Sequence, residues 1–306
     1  MRRHVDWLFA VAVRPDGWWA RSHLVGGQPK DRVFQLDQQL YPLLELADYV
    51  ELTADRMVLD RHAGEIERAL GAIEARRAPD APLYGSDENA ADDPLELPYQ
   101  TANQILAWRA LTQLDAVGFG GGRLADRAAA IRRAVHEHQL VHAADGATAY
   151  AYATDLNGRH SVYHDANDLP MALAAEWGFC DADDPVWRTT IQGAFSPANP
   201  GFFGGQNGGL GSRHTPAPWA LGNVQALLVG RATGDAALVT STQRALLAQA
   251  TWDAALPEAS DPRTARPISR HWFAWPGAVV GAAELQAAMA RGPAPPAPHE
   301  LPTGPR

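Results

Sequence analysis

The chain has 306 residues, 46% of them apolar and 20% charged, which supports a packed core and argues against general disorder. Its 26 basic and 35 acidic side chains leave a net charge of −9, a poor match to duplex nucleic acid or an anionic membrane as main partner. A single cysteine, Cys180, excludes an internal disulfide framework and a cysteine-based zinc site.

The first stretch, Arg3 to Val13, reads as a helix. Asp6 interrupts its apolar run, and Arg14-Pro15-Asp16 stands where a secretion signal would have its small-residue cleavage site. No apolar run approaches the ~20 residues needed to span a bilayer. The expectation is a soluble, cytoplasmic chain.

Leu36, Leu40, Leu43, Leu44 and Ala47 lay an apolar stripe on a helix running to about Leu52. Val58 to Arg76 follows, with Ile66, Leu70 and Ile73 inward. Thr101 to Leu114 and Ala125 to Leu140 form the next pair, separated by the breaker Gly118-Phe119-Gly120-Gly121-Gly122. The period then changes. Thr148 to Thr154 and His160 to His164 flank Asn157-Gly158 and predict a β-hairpin. Helices resume at Leu169–Trp177, Pro185–Phe195, Trp219–Ala232, Ala236–Trp252 and His271–Ala290. From 291 to 306 the sequence is a proline-rich tail, excluded from the fold. About ten helices in consecutive pairs predict an all-α, (α/α)6-type toroid over 1–290 that is incomplete, with one short β-hairpin near 148–164.

Five long connections carry the chemistry, as long loops on rigid scaffolds do. They are Gly17 to His23, the acidic Tyr84 to Pro94, His164 to Asp168, Ser196 to Pro216, and Leu256 to Arg263 leading into His271-Trp272-Phe273-Ala274-Trp275. Carboxylates, amides and aromatics recur in them. Gathered at one end of a toroid they would suit a neutral, hydroxyl-rich ligand such as a sugar, whose glycosidic bond two carboxyls suffice to hydrolyse.

Each feature also has a plain structural explanation. The acidic loop is equally well a solvated surface. Asp165, Asn167 or Asp168 could cap a helix, and Glu258 could simply be exposed. Trp108 and Trp252, at helical spacing, belong in the core, whereas Trp18, Trp19, Trp272 and Trp275 flank loops and stand at even odds of facing a ligand. His138 and His142 share a helical spacing but lack a third metal ligand, so an exposed helix face is the better reading. The Gly-rich segments lack the endings of phosphate-binding loops, and neither a nucleophile elbow nor a histidine base for Cys180 is present. No metal or cofactor is expected.

In chain order, Phe34-Gln35-Leu36-Asp37-Gln38-Gln39-Leu40-Tyr41-Pro42, Ala91-Asp92-Asp93, Leu97-Pro98-Tyr99 with Asn103, and His164-Asp165-Ala166-Asn167 are followed by three further strings. These are Ser196-Pro197-Ala198-Asn199-Pro200 with Phe202-Phe203, Gly211-Ser212-Arg213-His214-Thr215-Pro216, and Pro257-Glu258-Ala259-Ser260-Asp261-Pro262 before Trp272-Phe273-Ala274-Trp275. Together they resemble glycoside hydrolase family 125, exo-acting, metal-independent α-mannosidases with an (α/α)6 toroid. The chain departs from the family at His164 and Pro257, where the family has an acid and a histidine, and near Asn89, where it has an arginine. The family's additional first helix and its "WLRDS" segment are not seen before Met1, so the toroid is expected to be open by one hairpin, truncated or covered by a partner or a second copy.

The resemblance implies Asp165 as general acid and Glu258 as general base of an inverting hydrolysis, with their carboxyls ~6.5–9.5 Å apart. It implies Asp37, Asp92, Asp93, Asn167, His214 and Thr215 as hydroxyl-binding residues, and Trp272 and Trp275 as aromatic surface. The expected substrate is a terminal α-linked hexose, most directly an α-mannoside. The alternatives are an inactive carbohydrate-binding or interaction protein, or another six-hairpin glycosidase or epimerase.

Overall fold

A computed structural model describes residues 1–142 and 146–291. The expected tail, apart from Arg291, lies outside the described residues. Among the described residues ten α-helices appear in chain order: α1 (Arg2–Asp6, running on into a π-turn at Trp7–Val11), α2 (Leu36–Thr53), α3 (Met57–Glu74), α4 (Thr101–Ala116), α5 (Arg123–His138), α6 (Leu169–Ala172), α7 (Pro185–Ala194), α8 (Ala220–Thr233), α9 (Ala236–Gln249) and α10 (Ala274–Arg291). No helix among the described residues is long and apolar enough to cross a membrane.

Two kinds of helix alternate. Those of the inner row, α2, α4, α6, α8 and α10, pack each on the next. Of these, α4 and α8 are buried on nearly every side, which is why they read as almost unbroken apolar runs. On the outside, α3 and α5 bury single stripes, Ile66-Leu70-Ile73 and Leu124-Ile131-Val135, and leave Glu67, Arg68, Arg132 and Arg133 in solvent. Local signals set the ends: Asp184 and Asp235 accept hydrogen bonds at 2.9 Å from the backbone amides of Trp187 and Leu238 at the starts of α7 and α9. This is the expected all-α toroid. Residues of the first and last inner helices, α2 and α10, line a common cavity.

The main core runs from Val5 through α2–α5 to Trp187 and Ile191 of α7, and a smaller cluster joins α8, α9 and α10. A third cluster, Ala166, Leu210, Ala217, Trp219 and Ala259, ties three connections together beneath the starts of the inner helices.

The strand reading needs correction. The hairpin at Asn157-Gly158 forms, but through two-residue strands, Ala153–Thr154 with His160–Ser161, and the former also pairs with Tyr99–Gln100. Thr148–Tyr150 turns back instead onto Leu140–His142. Consequently α5 stops at His138, and His138 and His142 do not share a helix face. Gln139, which ends the helix, donates a hydrogen bond to the Tyr99 carbonyl at 2.8 Å, a long-range contact with no local signature. The helix predicted at Leu169–Trp177 is regular only to Ala172, followed by turns into Gly178 at φ +78°. Trp252 lies beyond the end of α9 and is 92% exposed, so it is not core.

Candidate active site

The inner helices begin at a common mouth. Leu36 N of α2 donates to the Ser86 hydroxyl, Thr101 of α4 is tied to Ala151 and Tyr152, Ala220 N of α8 donates to the Glu258 carbonyl, and Phe273 N, just before α10, donates to the Leu256 carbonyl. The long connections therefore meet there. They enclose a cavity of about 570 Å³ lined by Arg21, Lys30, Asp31, Gln38, Asp92, Asp93, Asn167, His214, Trp219, Glu258, Arg270, Phe273 and Trp275. A second cavity of about 350 Å³ shares Gln38, Ala90, Asn167 and Trp275 with it and continues between α2 and α10 past Asp37, Tyr41, Leu169 and Leu221. Another of about 530 Å³, between α3 and α5, is lined by Arg77, Arg123 and Arg127, which pair with Glu74 and Glu67.

The acidic loop is pinned, not merely solvated. Gln35 donates to Asp92 at 2.8 Å, Arg21 pairs with Glu88 at 3.0 Å, and Asn89 takes the backbone amides of Ala91 and Asp93 on its side-chain oxygen while donating to the Tyr152 hydroxyl. Asp92 holds φ +66°, a left-handed conformation that aspartate tolerates better than most residues. Asp93 lies 3.3 Å from Nδ1 of His214 and accepts a hydrogen bond from Ser212 at 3.4 Å.

Asp165 is buried, 1% exposed, directly behind the cavity-lining Asn167. One of its oxygens accepts from the Tyr163 hydroxyl at 2.7 Å; the other accepts from the backbone and side-chain nitrogens of Asn167, each at 2.9 Å. Burial raises its pKa, and these bonds, with one from Ser212, pull the other way. Asp168 is buried beside it, accepting from Asp165 N at 2.7 Å and Gln100 at 2.8 Å. Burial and then the charge of Asp165 push Asp168 well above the usual carboxylate range. Neither side chain caps α6.

Glu258 lines the cavity but is only 4% exposed. Its oxygens take the Ser269 hydroxyl at 2.8 Å and the Arg270 guanidinium at 2.9 Å, so it is oriented, not free on the surface. Arg270 pays for this place with a left-handed φ of +34°, the kind of backbone strain that concentrates at functional sites.

Of the aromatic candidates, Trp275 lines both cavities and Trp272 neither, being 63% exposed and turned away; Phe273 lines the larger cavity in its place. Thr215 is also outside both, and its carbonyl instead accepts from the Trp219 indole at 3.0 Å. Trp19 is core, with its indole donating to the Leu8 carbonyl and the Arg14 guanidinium 4.1 Å from its ring centre; Trp18 packs edge-on against Phe34. Sequence reasoning assigned no role to Arg21, Arg270, Ser212 and Tyr163, which lie within or beside the segments it singled out. It also missed Gln225, whose signal was a polar residue among the aliphatic side chains of a helix. Among the described residues, no three His, Cys, Asp or Glu side chains cluster in a way that could hold a metal ion.

An inner row of helices backed by an outer one, with carboxylates at its mouth, is an (α/α)-toroid arrangement. Residues 70–285 match the family described as metal-independent α-mannosidase, and the chain belongs to glycoside hydrolase family 125. It is a glycoside hydrolase. No curated protein matches the sequence. Among solved structures, it is similar to a metal-independent α-mannosidase of Streptococcus pneumoniae in a non-productive complex with α-1,6-mannobiose, with a TM-score of 0.75 and 19% identity over 93% of this chain and 78% of that one. A bacterial glucoamylase complexed with acarbose gives a TM-score of 0.67 at 15% identity, over 87% of this chain and 42% of that one. A family 78 rhamnosidase of Bacillus sp. GL1 gives 0.57 at 16% identity, over 85% and 27%.

Proposed function

We propose that the protein is an exo-acting hydrolase of a terminal α-linked hexose, most directly an α-mannoside, working by inversion with Asp165 as general acid and Glu258 as general base. The reading rests on one observation above all: Glu258, Asp92, Asp93, Asn167 and His214, from four separate connections, line one cavity, with Asp165 bonded directly behind Asn167. Asp165 gives its proton to the glycosidic oxygen as the bond from that oxygen to the anomeric carbon breaks. Water bonds to the anomeric carbon from the other face and loses a proton to Glu258. Burial shifts Asp165 in the direction an acid needs. Asp37 and Asn167 each present a buried oxygen with no partner in the protein to the smaller cavity, where sugar hydroxyls would satisfy them, and Trp275 offers an apolar ring face.

Asp165→Asn and Glu258→Gln are each expected to lower kcat on an α-mannoside by about 10²–10⁴-fold while circular dichroism and melting temperature hold. Proton NMR of the first-formed sugar should show the β-anomer. Near-native rates in both variants would reject the assignment, and an α-anomer would reject inversion.

A further inference from the structure

Gln225 sits mid-way along α8 with no exposed surface, among Leu221, Val224, Leu227, Leu228 and Val229. A buried amide costs about 1–3 kcal/mol if its polar atoms are left unmatched. Here they are matched, and every partner belongs to one three-residue segment. Nε2 donates to the carbonyls of Asp165 at 3.0 Å and Ala166 at 2.6 Å, and Oε1 lies 2.9 Å from Nε2 of His164. Two carbonyl oxygens can accept only from the NH2 end, so the amide has one orientation and its oxygen must face His164. His164 Nε2 therefore carries a proton, and burial, which pushes the imidazole down to about 4, keeps the ring neutral.

The same segment is held from its other side. Asn199 accepts from His164 N at 3.1 Å and donates to the His164 carbonyl at 3.0 Å, while Ala166 N donates to the Gly211 carbonyl at 3.0 Å. Asn199 and Gly211 come from one connection, and Gln225 ties the segment to α8, the inner helix next to α6.

We propose that Gln225 is a positioning residue for Asp165: by gripping the carbonyls of residues 165 and 166 and fixing the His164 tautomer, it aims the carboxyl at the departing oxygen. This rests on the reading of Asp165 as general acid. Misplacing a catalytic group by about 1 Å can cost a hundredfold in rate, and the loss should fall on substrates that need leaving-group protonation.

The test compares methyl α-mannoside, whose leaving group needs a proton, with 2,4-dinitrophenyl α-mannoside, whose leaving group does not. For Gln225→Leu, kcat on the methyl glycoside should drop about a hundredfold. On the dinitrophenyl glycoside it should stay within a factor of about three, with KM unchanged for both. Equal losses on the two substrates, or no loss on either, overturn the proposal. His164→Leu removes only the bond to Oε1 and should show a smaller loss with the same selectivity, which decides the matter if Gln225→Leu does not fold. Asp165→Asn serves as the control: without leaving-group dependence there, the assignment of the acid itself fails, whatever Gln225 does.

Discussion

Asp37 lies in the first turn of α2 with its side chain buried and one carboxyl oxygen unpartnered in the protein, on the cavity shared with Tyr41 and Asn167. Burial, helped by the charge of Asp92, pushes its pKa up to about 7. In an unfolded chain an aspartate titrates near ~3.9. Between those values the folded protein keeps a proton that the unfolded chain has lost, so Asp37 makes stability fall as pH rises through the window. Asp37→Asn has no charge to bury, and its melting temperature should decline less than that of the wild type between pH 5 and pH 8. Parallel declines would show that Asp37 does not carry the effect. At this scale the motif strings were good guides to chemistry and poor guides to direction. They singled out Asn167, His214, Glu258 and Trp275, all of which line the larger cavity, but also Trp272 and Thr215, which do not. Neighbouring residues in an extended stretch point to opposite sides, and only the packing of Phe273 on Trp219, ring centres 5.9 Å apart, shows which of the adjacent pair faces in.

Elements are governed partly by propensity and partly by what lies against them, and Gly222 of α8 separates the two. Alanine is a better helix former than glycine by about 1 kcal/mol, so the sequence alone predicts that Gly222→Ala stabilises. A Cβ there would meet the Leu210 carbonyl oxygen at 2.3 Å and the Leu210 side chain at 2.7 Å, closer than atoms can approach. Gly222→Ala should therefore destabilise, by about 1–3 kcal/mol as overpacking does, and disturb the connection that carries Leu210 and Ser212. A denaturant midpoint at or above the wild-type value would contradict this. The long helices were legible because their apolar residues recur at 3.6-residue spacing within each segment. The strands were not, since pairs such as Tyr99–Gln100 with Ala153–Thr154 are two residues long and lie more than 50 positions apart.

Across the molecule, stability is unevenly distributed. Leu36, Leu40, Leu43 and Leu46 of α2 and Ile105, Leu106, Leu111 and Leu114 of α4 sit in the main core, where each buried leucine contributes about 1.5–3 kcal/mol relative to exposure. In α9 only Thr242, Leu246 and Gln249 are buried, and α10 leaves Leu285 and Met289 largely exposed while packing mainly on α8. Native-state hydrogen exchange should find amides of α9 and α10 opening at lower free energy than those of α2 and α4. Uniform protection across all four would instead indicate one cooperative unit.

Sequence by itself determined the succession of helices, their arrangement in consecutive pairs, and the short acidic, amide and aromatic strings that mark a sugar-cleaving family. Those properties are local, since a helix needs only its own periodicity and a motif only its own order. The tertiary structure alone decided which loop side chains share a cavity, that Asp165 lies buried between Tyr163 and Asn167, and that its backbone rests on Gln225, 60 positions away. The same holds for Ser212 against Asp93, 119 positions apart. Contacts at that separation depend on how the inner helices stack, and stacking leaves no periodic trace in the chain.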